Sequence, residues 1–107
     1  MDIDSNRLLL ELDKRRREIN RNIINPAIPE ISLEDLNQLL SMVAEVRRDY
    51  LCSLLDLTKN NKGKAPASEG VHVLRQQREM YDELVAAVNA LETAIQRGYL
   101  DVRPARK

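Results

Sequence analysis

Hydrophobic positions recur with a helical period in three stretches of the chain, and the third stretch is the longest. From Val71 to Arg97, the residues Leu74, Gln77, Tyr81, Leu84, Val88, Leu91 and Ile95 are spaced alternately three and four apart. That spacing keeps them on one side of a helix of 3.6 residues per turn, as a seam laid along another helix does. Beside the seam runs a second row, Val73, Met80, Ala87 and Ala94, repeating every seven residues. Its alanines leave room for a neighbouring backbone to come close. The apolar arc spans about half the helix circumference, so this helix is expected to meet two neighbours.

The second stretch, residues 33–58, is built the same way. Leu36, Leu39, Val43, Val46, Tyr50 and Leu57 form its seam, and Leu40, Leu51, Leu54 and Leu55 form a second apolar edge. Ser32 and Asp35 have the spacing of a capping box with the shorter acid, and Glu34 and Asp35 suit a helix N-terminus. The first stretch, residues 5–24, carries Leu9, Leu12, Arg16, Ile19 and Ile23 in the same rhythm, with Leu8 widening the face. Asp4 or Ser5 can cap its start.

Between these helices the punctuation is clear. Pro26 is expected to end the first helix, because the residue before a proline is pushed out of the α region. With Pro29 it makes the connector a stiff strap, which Ile28 and Ile31 pin to the bundle end. Lys59 to Ser68 reads KNNKGKAPAS, and the interval 59–70 is expected to be a mobile loop. Gly98 stands where a left-handed C-cap glycine ends the third helix. Tyr99, Leu100 and Val102 can then fold back over the bundle end, and residues 103–107 form a loose tail.

The fold expected is all-α: a three-helix antiparallel bundle in one domain. The second and third helices form a long hairpin, and the shorter first helix packs in its groove. An open hairpin completed by a second chain is the alternative.

Composition narrows the class of function. The 107 residues include no Phe or Trp and three Gly, which suits aliphatic helix packing and not a turn-rich β fold. Seventeen basic residues balance seventeen acidic ones, against a chain built mainly to grip nucleic acid or anionic lipid. The acidic start and the lack of a long apolar run point to a soluble cytoplasmic protein without a membrane span. Cys52, the lone cysteine, has no partner for an internal disulfide and falls away from the apolar stripe. It is expected to be an idle thiol.

Candidate chemistry is sparse. His72 is the single histidine and has no ligand set around it, so neither a metal nor a cofactor is expected. Gly63 and Gly70 lack phosphate-loop spacing. Glu79 and Glu83 share a helix face, but two wet glutamates without a cleft make no acid–base pair. No enzyme activity is expected.

Charge and polarity single out two further sets. Arg7, Lys14 and Arg21 are seven apart on the side opposite the first seam, a stripe able to track phosphates, although Glu11 and Glu18 flank it. Arg16 and Gln77 are polar residues within seams. Arg16 can snorkel to water, pair with an acid such as Asp49 or Glu83, or fix register.

The expected function is a non-enzymatic protein-interaction module: an adaptor, a chaperone-like subunit or a regulatory partner. Its partner is a second copy or another helical protein. The expected face comprises Met80, Leu84, Ala87, Val88, Leu91, Ala94 and Ile95 of the third helix, with Leu51 and Leu55 of the second. The alternative is a nucleic-acid-associated regulator using the Arg7, Lys14, Arg21 stripe and the lysine loop.

Overall fold

A computed structural model of the chain describes residues 3–28 and 30–104. The expectations for Pro29 and for residues 105–107 lie outside the described residues. The elements in order are α1 (Ile3–Ala27), β1 (Glu30–Ser32), α2 (Leu33–Asn60), α3 (Ser68–Gln96) and β2 (Asp101–Arg103). With 81% of the described residues helical and α2 packed on α3, the protein is an all-α, three-helix arrangement bearing one short β pair.

Helix ends follow local chemistry. The capping box at α2 is formed: the Ser32 amide donates to Asp35 Oδ2 and the Asp35 amide donates to Ser32 Oγ, each at 3.0 Å. Two orphan donors of the helix start are thereby satisfied. At the end of α3, Gly98 has φ +75°. Its amide donates to the Ile95 carbonyl at 3.0 Å, and the Tyr99 amide donates to the Ala94 carbonyl at 2.9 Å. That pair of bonds is a Schellman motif with glycine at its left-handed position. The end of α2 repeats it with bonds from Lys62 to Lys59 and from Gly63 to Thr58, and a lysine at φ 52° takes the left-handed position.

Several expected boundaries move. α1 does not stop before Pro26 but runs to Ala27. Proline lacks only its own N–H, and the next bond, from the Ile28 amide to the Ile24 carbonyl at 2.9 Å, carries the chain onward. The strap is correspondingly shorter and becomes β1. α3 starts at Ser68, so the interval between α2 and α3 is 61–67. Residue 103, expected in a loose tail, belongs to β2. That strand pairs in parallel with β1, Glu30 opposite Asp101, Ile31 opposite Val102 and Ser32 opposite Arg103.

The chain divides into two compact units, Met1–Leu36 with Ala90–Lys107, and Asn37–Asn89. In the first, Tyr99 and Leu100 are the buried residues among those described, at 7% and 3% exposure. The apolar row of α1 is largely exposed. Leu9, Leu12, Ile19 and Ile23 are 52%, 47%, 56% and 69% exposed. Arg16 stands in the middle of that row, and burying an unpaired guanidinium costs several kcal/mol. The row stays open.

The second unit, Asn37–Asn89, holds most of α2 and α3 as a helical hairpin. Val43 is its one buried apolar side chain among the described residues. Tyr50 and Tyr81 stack at 6.3 Å between ring centres, tilted by 42°. Arg47 donates from Nε and Nη2 to the Tyr81 hydroxyl at 3.0 and 2.7 Å.

Candidate interaction surface

The seams read from the sequence are the half-buried rows of the hairpin. In α2, Val43 is buried and Leu36, Leu39, Val46, Tyr50 and Leu57 are half-buried. In α3, Leu74, Gln77, Tyr81, Leu84, Val88, Leu91 and Ile95 are half-buried in turn. The second apolar rows are not. Leu40, Leu51, Leu54 and Leu55 are between 46% and 61% exposed, as are Val73 and Met80 at 49% and 58%. Apolar side chains lower the free energy when taken from water, and these rows have had only part of that gain.

The nine residues expected to form one interaction face therefore separate. Leu84, Val88, Leu91 and Ile95 are half-buried in the seam, joined by Ala94. Met80, Ala87, Leu51 and Leu55 remain exposed. At about 100° per residue, Leu51 and Leu55 follow Leu54 round one flank of the hairpin, whereas Met80 and Ala87 sit on the other. Val71 of α3 lines the same hollow as Leu54, which fixes the flank. Exposed apolar surface thus lies on both flanks, and the richer part belongs to α2.

Of the polar seam residues, Arg16 is exposed within its own unit. Its head stays at the surface, 3.8 Å from Asp13 Oδ1 on its own helix. Gln77 is drawn into the hairpin: its Nε2 donates to the Asp49 carbonyl at 3.4 Å, while its Oε1 is buried without a hydrogen-bond partner.

The cationic stripe of α1 is broken by the fold. Arg7 and Lys14 are exposed, but Arg21 is committed within its own unit. Arg21 donates to the Gly98 carbonyl at 2.7 Å and forks onto both carboxylate oxygens of Asp101 at 3.2 and 3.0 Å. The bond from Arg21 lowers the pKa of Asp101, and the same contact raises that of Arg21. This fork ties α1 to the cap of α3 and to β2. Its partner lies 80 residues away, beyond the reach of any spacing rule for helix pairs. A neighbouring hollow of about 310 Å³ gathers Arg17, Arg21 and Arg97, yet each cation there has a partner. Arg17 meets Asp13 at 3.3 Å, and the Tyr99 side chain raises the pKa of Arg97.

Cys52 is exposed. Among the described residues no cluster of three His, Cys, Asp or Glu side chains could hold a metal ion. Nor is any described helix long and apolar enough to cross a membrane. No protein-family model matches the chain, and neither a curated protein nor a solved structure is significantly similar to it.

Proposed function

We propose that this chain is a non-enzymatic helical interaction module that covers the open apolar rows of its hairpin on a second helical surface. One observation carries the reading: α2 presents Leu40, Leu51, Leu54 and Leu55 at about half exposure beside a seam already closed by α3. Contiguous exposed apolar rows of this kind mark interaction surfaces. Another copy of the chain supplies a matching row, and a two-fold contact would bring the two α2 rows together.

The nucleic-acid reading draws less support, because Arg21 is held by Asp101 and Gly98 and only Arg7 and Lys14 of the stripe are left to meet phosphate. Light scattering on the unmodified chain and on Leu51→Glu tests the proposal. Association that the charge abolishes supports it, and a chain that never associates and binds no helical peptide refutes it.

A further inference from the structure

One flank of the hairpin combines an apolar floor with unbalanced charge. Two hollows, of about 360 and 280 Å³, adjoin there and share Val71 and Leu74 as their common wall. Tyr50, Leu54 and Leu57 complete the apolar lining. The polar rim is cationic: Arg75 and Arg78 line one hollow and Lys64 the other, and no carboxylate lines either among the described residues. Arg75 pairs with Glu79 at 3.0 Å, whereas Arg78 and Lys64 have no ion-pair partner among the described residues. The hollow of α1 is the contrast, since its cations are spent on internal partners.

We propose that this trough seats an acidic, amphipathic protein segment, with apolar side chains on Val71, Leu74 and Leu54 and carboxylates on Arg78 and Lys64. The inference rests on the reading of the chain as an interaction module and names the chemistry of one partner. A second copy docking trough to trough would set Arg78 and Lys64 against like charges, which interfaces avoid. A single-stranded nucleic acid would meet a mainly aliphatic floor with one tyrosine, whereas such strands are held by stacking on aromatic rings. Leucine-sized side chains fit an aliphatic trough, as in other helix-in-groove contacts.

The test is fluorescence anisotropy with a labelled helical peptide carrying Leu at helical spacing and Glu at the flanking positions. Its counterpart has Lys in place of every Glu. The unmodified chain should bind the Glu peptide about tenfold more tightly, as two rim charge pairs would give. Raising salt from about 50 to 500 mM should shrink that preference. In the double variant Arg78→Glu with Lys64→Glu the preference should reverse. Both positions are exposed, and circular dichroism checks the fold. Should that variant fail to fold, the salt series on the unmodified chain decides alone.

Equal binding of both peptides overturns the inference and leaves the interaction module standing. So does tighter binding of a single-stranded oligonucleotide than of the Glu peptide, or no peptide binding by a chain that self-associates. Failure to bind either peptide, by a chain that is monomeric at every concentration, overturns both readings.

Discussion

Replacing Leu100 by Ala should cost more stability than truncating any leucine of α1. Leu100 is 3% exposed, the most buried of the core residues, and it follows directly on the Gly98 cap that turns the chain back toward β2. Removing a buried leucine side chain loses its transfer free energy and leaves a cavity, together about 2–5 kcal/mol. A value near 3 kcal/mol is expected here, because Leu100 sits in a thin unit whose other buried residue is Tyr99. For a domain of this size about 1 kcal/mol moves the melting temperature by about 4–8 °C, so the shift should exceed about 10 °C. Leu10, at 73% exposure, is the control, and Leu10→Ala should cost below about 0.5 kcal/mol in dilute solution. Thermal melts followed by circular dichroism give the magnitude. Amide exchange gives the location, because protection of the β1–β2 pair should fall before that of the hairpin. The reasoning fails if the two variants melt within about 2 °C of each other.

Three further perturbations follow from particular contacts. Gln77→Leu should stabilise the hairpin by about 1 kcal/mol, because it removes a buried Oε1 without a partner and adds apolar area; denaturant unfolding at unchanged m-value checks it, and a destabilised variant would show the Asp49 bond to matter more. Ser32→Ala should lose about 1 kcal/mol, since it deletes one arm of the capping box at the start of α2; an unchanged melting temperature would contradict this. The pKa values of Asp35 and Asp101 are lowered by bonds from Ser32 and Arg21. Their stabilisation is present above the unfolded carboxylate pKa of about 3.9 and is lost as pH falls through the lower folded values. Melting temperatures should therefore decline below about pH 4, and Asp101→Asn should lack the Asp101 share at every higher pH; a variant with an identical pH profile would refute the assignment.

Much of the hairpin was legible in the order of residues, and the reason is periodicity. The seam of α3 and the seam of α2 repeat over many turns, so each turn adds the same signal, and the half-buried rows fall where the spacing puts them. The Ser32–Asp35 box and the Gly98 cap were readable because both are local patterns with a fixed offset. Three-residue strands have no period to read, so β1 and β2 left no trace beyond Ile31 and Val102. Pro26 misled because a proline in the last turn costs one bond rather than the helix. Width of the apolar arc reports capacity for contact, not contact made. Leu40, Leu51 and Met80 show that difference directly, since they remain open in the folded chain. Arg21 illustrates the opposite gap: a surface cation on a helical wheel became an internal tie once Asp101 came within 3.0 Å.

The most direct measurement is light scattering behind a sizing column, across a wide range of concentration, for the unmodified chain and for Leu51→Glu. Leu51 is 51% exposed, so the substitution should leave the monomer folded. In a two-fold contact it occurs twice, and each copy loses about 1 kcal/mol of burial and adds the cost of drying a carboxylate. The total is at least about 3 kcal/mol, a weakening of about a hundredfold or more. The unmodified chain should associate as concentration rises, and Leu51→Glu should remain monomeric and helical. An unmodified chain that stays monomeric and binds no helical peptide, or a variant that associates as well as its parent, would contradict this reading.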